Sequence, residues 1–363
     1  MNNMANNIYT RIVGTGSYLP PKIVKNSFFL NNVFYDASTG KPFDKPNEEI
    51  IQKFKDITNI EERRYAEDNQ VTSDLAVKAI QDACNSSGIS QESLDFIIVA
   101  HNFGDIIDGN VRSDMLPGLA NKVKMKLHVK NPHTICYDLI SGCPGWTQAM
   151  IVADAFVKSG FMKRGVVVGA DVLSRISDPH DRDSMIYADG AGATIVEAVE
   201  SDEPVGIISH ASRSDSVTYA NLLTLGKSNN PEFSGDELWI KMAGHKLYIY
   251  AIKTVPAVVK ESIEKAGIDL GDVKKVLIHQ ANEKMDEVIL SGLFKLYNQK
   301  EIPEGIMPMS IRYLGNSSTA TVPTLLDLIM KGKIEDQEIN KGDYVVLCSV
   351  GAGMNINSIV YKW

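Results

Sequence analysis

Ala266-Gly267-Ile268, set between a helical pattern and the apolar run Val276-Leu277-Ile278-His279, repeats an earlier feature of the chain. Ser87-Gly88-Ile89 stands likewise between a helical pattern and Phe96-Ile97-Ile98-Val99-Ala100-His101. The stretches Ala76 to His101 and Val255 to Gln280 resemble each other at an offset of 179 residues (Gly88 to Gly267), about half of the 363-residue chain. In the first copy Leu75, Ala76, Ala79, Ile80 and Ala83 form one apolar helical face. The unbroken apolar run after it suits a strand covered on both sides. The next unit repeats in the same order. Gly142-Cys143 leads a helical pattern to Lys158-Ser159-Gly160, and Gly315-Asn316 leads one to Lys331-Gly332, at an offset of 173 (Cys143 to Asn316). Each is followed by a strand, Gly165 to Gly169 and Tyr344 to Cys348. Two matches in one order predict an α/β chain in which a βα-rich unit is used twice, with halves at 1–203 and 204–363. Cys143 and Asn316 then occupy the same place in the two halves, each at a helix N-terminus near a pseudo-twofold axis.

The turn of the first half reads Asp138-Leu139-Ile140-Ser141-Gly142-Cys143-Pro144-Gly145-Trp146. Trp146, Met150, Ala153 and Val157 follow at intervals of three and four and line one buried face. Pro144 suits the first helical position, where its missing N–H would have no partner in any case. It also pushes Cys143 into the geometry of a cap. A sulfur there faces unpaired backbone N–H groups and the positive end of the helix dipole, and both favour thiolate. From these residues alone, Cys143 is either a buried structural cysteine, as free cysteines commonly are, or a nucleophile. Cys84, Cys136 and Cys348 lie within apolar patterns and read as structural.

Composition narrows the classes. Hydrophobic content of 44% and charged content of 23% are those of an ordinary globular enzyme. Four cysteines without CxxC spacing give neither a disulfide framework nor a zinc signature, which suits a reducing compartment and a cytoplasmic location. The polar segment Met1 to Asn7 lacks the apolar core of a secretory leader, and no apolar run approaches a bilayer-spanning length. A net charge of −8 argues against nucleic acid as the main partner.

Ile8 to Val13 reads as a first strand. The Gly14-Thr15-Gly16 after it is not a dinucleotide fingerprint, because Pro20-Pro21 stand where the helix would begin. Phe28 to Asp56 is mixed and polar, an elaborated surface segment. His101 to Pro132 is long and irregular, with helical potential from Leu116 to Lys126; such insertions are often lids or subunit contacts. In Asp189-Gly190-Ala191-Gly192-Ala193 the glycines serve tight packing, since a strand follows rather than a helix. His279 ends a buried strand at the sheet end toward which Cys143 also points. The other six histidines show no pairing at metal-ligand spacing, so no metal site is expected.

At this point the chain resembles the β-ketoacyl-acyl-carrier-protein synthase III family, of thiolase fold. The resemblance rests on Cys143 in its turn, Ile278-His279-Gln280-Ala281-Asn282, Tyr313-Leu314-Gly315-Asn316-Ser317-Ser318 and Gly351-Ala352-Gly353. Met242-Ala243-Gly244, Asp178-Pro179-His180-Asp181-Arg182 and Asp189 to Ala193 add to it. It implies two duplicated halves in an α-β-α-β-α layering and an acyltransferase that performs a decarboxylative Claisen condensation. The implied catalytic set is Cys143, His279 and Asn316, with the backbone N–H groups of Cys143 and Ala352 as oxyanion donors. Arg182 and Gly244 fall at positions that contact the phosphopantetheine or coenzyme arm, and Lys284, with Lys246 and Lys295, at positions that dock the acidic carrier. Implied partners are an acyl carrier protein, acyl and malonyl thioesters and a second copy of the chain, with no cofactor.

Departures from the family limit what carries over. Lys53 and Ile57 replace the tryptophan and arginine that sandwich the coenzyme adenine, Pro144-Gly145-Trp146 is bulkier than usual, and the segment from His101 to Pro132 is longer. These differences lead to an expected donor other than acetyl-CoA: a longer, branched or carrier-bound acyl group. The runner-up is another condensing enzyme with Cys, His and Asn, of the polyketide or hydroxymethylglutaryl-CoA synthase type. A papain-like protease shares the order of the three residues but lacks the duplication and carries a tryptophan directly after its cysteine.

Overall fold

The structure, a computed structural model, describes residues 7–110 and 112–363. The segment read as lacking a secretory leader lies outside the described residues up to Asn6. Nine principal strands form two sheets. The first holds β1 (Asn7–Tyr18), β2 (Phe96–His101), β3 (Ile135–Ile140), β4 (Arg164–Val172) and β5 (Asp189–Ser201), in the order β1-β5-β4-β2-β3. The second holds β6 (Gly206–Ser214), β7 (Val273–Ile278), β8 (Tyr344–Gly351) and β9 (Asn355–Lys362), in the order β6-β9-β8-β7. Element by element the second order repeats the first without β3. Both sheets join parallel pairing (β2 with β3 and β4 in the first, β7 with β8 in the second) to antiparallel pairings through β5 and β9.

Seven helices matter here: α1 (Asn47–Thr58), α2 (Thr72–Ser87), α3 (Leu119–Lys126), α4 (Gly145–Lys158), α5 (Gly244–Ala266), α6 (Glu283–Leu296) and α7 (Thr321–Met330). The repeated glycines, Gly88 and Gly267, are the left-handed caps of α2 and α5, at φ 70° and 69°. That conformation is cheap only without a Cβ, so one residue type marks the same corner in both halves.

Strand alternation sorts side chains into layers. Ile97 and Val99 of β2 face α2 and α3, whereas Phe96, Ile98 and Ala100 face the molecular centre. There α4 (Trp146, Ala149, Met150, Ala153) meets α7 (Val322, Leu325, Leu326, Ile329) between the sheets. In β8, Val345 and Leu347 face this layer while Val346, Cys348 and Val350 face α5 and α6. The layers are therefore α2/α3, sheet, α4/α7, sheet, α5/α6, the expected thiolase-like α-β-α-β-α architecture. Among the described residues no helix is long and apolar enough to cross a membrane.

Three details differ from the sequence expectation. α4 begins at Gly145, with Pro144 as its cap at φ −76° and ψ 3°, so Cys143 precedes the cap instead of forming it. The segment read as irregular surface from Phe28 to Asp56 contains α1, whose Ile50 and Phe54 join Phe29, Phe34 and Ile60 in a satellite core. α3 starts only at Leu119, after Pro117-Gly118.

Candidate active site

Parallel strands bring their C-terminal ends to one side, and the polar tips gather there. Asn102 follows β2, Cys143 follows β3, Asp171 lies near the end of β4 and His279 follows β7. Gly142 at φ 59° turns the chain, and Gly145 N–H donates to the Gly142 carbonyl at 2.8 Å to close that turn. From the second half, Gly351 presses directly on it: a Cβ there would stand 2.8 Å from the Cys143 Cβ. Only glycine lets the terminal Gly351-Ala352-Gly353 loop approach so closely.

Ser318 is where the three sequence-identified side chains meet. Its backbone N–H donates to Asn316 Oδ1 at 2.8 Å, its carbonyl accepts a hydrogen bond from the His279 imidazole, and its hydroxyl lies 3.4 Å from Cys143 Sγ. Ser318 holds φ 54°, an uncommon value for a residue with a side chain, kept in place by these contacts. Asn316 enters through backbone bonds to the first half: Asn316 N–H to the Ile186 carbonyl and Ala188 N–H to the Asn316 carbonyl, 3.0 and 2.9 Å. His279 and Asn316 are 3% and 4% exposed. The Nδ1 of His279 has no partner among the described residues, and neither has the Asn316 amide nitrogen.

Burial pushes the Cys143 thiol up to about 11, against the smaller opposing effect of the Ser318 hydroxyl. The thiolate-favouring geometry expected from the sequence is thus outweighed by lost hydration in the free protein. Burial likewise holds His279 down at about 4, so its ring is neutral near pH 7.

A cavity of about 380 Å³ opens onto Cys143 and Ser318. Its wall is mostly apolar, with Phe103, Ile140, Leu173, Tyr187, Leu225 and Ile240, and Ala352 and Gly353 complete it beside the cysteine. His279 and Asn316 lie behind this lining. Arg182 stands outside it, half exposed, with its guanidinium 5.4 Å above the Phe43 ring and Nε 3.8 Å from Asp183. Gly244 begins α5 beside the same Asp183, whose carboxyl is raised to about 6 by burial and then by Asp181. Lys284, Lys246 and Lys295 are exposed. Lys53 and Ile57 are exposed too, with Ile57 at 45%. Sequence reasoning missed Asn102 and Asp171. The available signal was their place at the ends of parallel strands, where α/β sheets put their sites.

Duplicated halves, the five layers and a cysteine facing a histidine and an asparagine define a thiolase-fold condensing enzyme, an acyltransferase. Comparison with known proteins narrows the class. The family described as 3-oxoacyl-[acyl-carrier-protein (ACP)] synthase III matches residues 137–216, and its C-terminal part matches residues 263–363. The chain is 32% identical over 358 residues to β-ketoacyl-[acyl-carrier-protein] synthase III 1 of Vibrio vulnificus, covering 98% of this chain and all of that one. The crystal structure of 3-oxoacyl-[acyl-carrier-protein] synthase III from Aquifex aeolicus superposes with a TM-score of 0.77 at 28% identity, over 98% of this chain and 100% of that one. The priming β-ketosynthase of the R1128 polyketide pathway does so with a TM-score of 0.78 at 25% identity, over 98% and 96%. The chain belongs to the β-ketoacyl-acyl-carrier-protein synthase III family.

Proposed function

We propose that the enzyme condenses an acyl thioester with malonyl-acyl-carrier protein to a 3-oxoacyl thioester, through an acyl group carried on Cys143. The observation that carries this reading is the meeting of Cys143, His279 and Asn316 at Ser318 beside an apolar cavity. In the first half-reaction the sulfur attacks the thioester carbonyl and the bond to the leaving thiol breaks. The cysteine's proton ends on that thiol. Backbone N–H groups of Cys143 and Ala352 hold the oxyanion, each donor of this kind being worth about 3–4 kcal/mol. In the second, the malonyl group loses CO₂ while Asn316 and the single N–H of the neutral His279 ring, exchanging the Ser318 carbonyl for the substrate, donate to its thioester carbonyl, where enolate charge develops. A neutral ring and a carboxamide suit this step, because both donate without giving up a proton. The carbanion attacks the acyl carbonyl, the carbon–sulfur bond to Cys143 breaks, and thiolate returns. Side chains and backbone amides suffice for each step, so the reaction as proposed uses no cofactor. Covalent storage of the acyl group makes the kinetics ping-pong.

The donor is longer or more branched than acetyl. Room for about a dozen waters at about 30 Å³ each supports this, as does the apolar wall. Exposed Lys53 and Ile57 offer no aromatic face for an adenine, which favours a carrier-bound donor. Arg182 and Gly244 are placed to meet the pantetheine arm, and Lys284, Lys246 and Lys295 to meet an acidic carrier. The enzyme works in the cytoplasm as a homodimer, a pairing that the unpaired edge of β3 supports. Steady-state rates with malonyl-carrier and a panel of acyl-CoA and acyl-carrier donors test the reading. It expects 3-oxoacyl product with stoichiometric CO₂ from a medium or branched donor; a clear preference for acetyl-CoA defeats the donor assignment, and no condensation with any donor defeats the reaction.

A further inference from the structure

We infer that the Ser318 hydroxyl is a catalytic hydrogen-bond donor to the Cys143 sulfur, aimed there by Asn102 and Asp171 as positioning residues. Asp171 is buried, no cationic side chain among the described residues is bonded to it, and four donors converge on its carboxylate. Oδ1 accepts from the Asn102 N–H at 2.8 Å; Oδ2 accepts from Asn102 Nδ2 at 2.7 Å, Thr319 Oγ1 at 2.8 Å and Thr319 N–H at 3.3 Å. The carboxylate fixes which way the Asn102 amide faces, since only the NH₂ end can point at it. The second hydrogen of that NH₂ then goes to Ser318 Oγ, 2.8 Å away. A serine hydroxyl has one proton. With a lone pair of Oγ filled by Asn102, that proton is free for the sulfur at 3.4 Å.

The chain of bonds has a direction, from a buried carboxylate acceptor through two donors to the reacting atom, and each link crosses between elements. Asn102 and Asp171 come from the first half and Ser318 from the second, so the donor is assembled only when the halves are together. A hydroxyl donor favours sulfur when it carries charge, and that occurs twice in a cycle: as Cys143 attacks the donor thioester, and as it departs when the new carbon–carbon bond has formed. While the sulfur is acylated it is a poor acceptor, and the bond weakens. The Ser318 hydroxyl is also the largest influence acting against burial of the thiol.

The inference rests on Cys143 as acyl acceptor, but its test needs no acyl donor. The rate of Cys143 alkylation by iodoacetamide, in which a carbon–sulfur bond forms and iodide leaves, reports the thiolate fraction across pH 7 to 10. Ser318→Ala is expected to slow alkylation about tenfold to a hundredfold at a fixed pH, the worth of a hydrogen bond to a charged group. Asn102→Leu, similar in volume, is expected to act in the same direction and less strongly. Ser349→Ala, which frees the Cys143 carbonyl without touching the sulfur's neighbour, is expected to keep the wild-type profile. Thermal midpoints of all three establish that they fold. Wild-type alkylation rates in both Ser318→Ala and Asn102→Leu overturn the inference, as does an equal slowing in Ser349→Ala. Acyl transfer to Cys143 that survives alongside unchanged alkylation in Ser318→Ala defeats this inference while leaving the condensation reading intact.

Discussion

Ser349 Oγ donates a hydrogen bond to the Cys143 carbonyl at 2.9 Å, joining β8 of the second half to the turn of the first across 206 residues of chain. The bond ties the backbone behind the cysteine to the second sheet and leaves the side chain of Cys143 untouched. Ser349→Ala is expected to cost about 1 kcal/mol of stability, the net worth of one such bond, read from the denaturant midpoint.

On the proposed mechanism Asn316 acts in the condensation and not in acyl transfer. Its amide nitrogen has no partner among the described residues and is available to a malonyl thioester. Asn316→Ala is expected to lower condensation about 10²- to 10³-fold while acyl-Cys143 still forms, as for the loss of one oxyanion donor. CO₂ release measured beside acyl-enzyme formation checks this.

Acid sensitivity follows from His279. Its folded value of about 4 lies below the ordinary 6.5, so the unfolded chain binds an extra proton between these limits. The stability this supplies is complete above pH 6.5 and is lost as pH falls toward about 4. Between pH 7 and 5 the loss is about 2 kcal/mol. Urea unfolding at both values should show a shallower decline for His279→Gln by that amount. Condensation should be insensitive to ionisation of this ring from pH 6 to 8, because it stays neutral throughout.

On the proposed mechanism the apolar wall limits donor length. Leu225 lines the cavity from the Leu223–Gly226 strand and is 44% exposed, so it tolerates bulk without disturbing a core. Leu225→Trp is expected to lower kcat/KM for the longest accepted donors about tenfold or more and to leave the shortest nearly unchanged. A donor-length series read on wild type and variant checks it.

Much of this was legible in the chain because the repeat is written in residues with few alternatives. Gly88 and Gly267 both have to close a helix in the left-handed region, and the apolar runs after them have to be covered on both faces. Cys143 and Asn316 could be placed from the register of the repeat and His279 from its place after a strand, although Asn316 follows the helical turn Ile311–Leu314 where Cys143 follows β3. Protonation was not legible: the dipole and free N–H groups are local and visible in sequence, whereas the burial that outweighs them comes from elements hundreds of residues away. Asn102 and Asp171 were missed for the same reason. An asparagine and an aspartate at strand ends look like ordinary polar tips until tertiary packing sets them 2.7 Å apart beside Ser318. α1 hid in a polar stretch because only Ile50 and Phe54 of its inward face are large apolar residues buried there.

The central claim is that Cys143 carries the acyl group. Intact-protein mass spectrometry after mixing with acyl donors, followed by peptide mapping, measures this directly. The account predicts an added mass equal to one acyl group on Cys143, absent in Cys143→Ala and discharged by malonyl-carrier. An acyl group mapped to another residue, or no adduct with any donor that supports turnover, would contradict it.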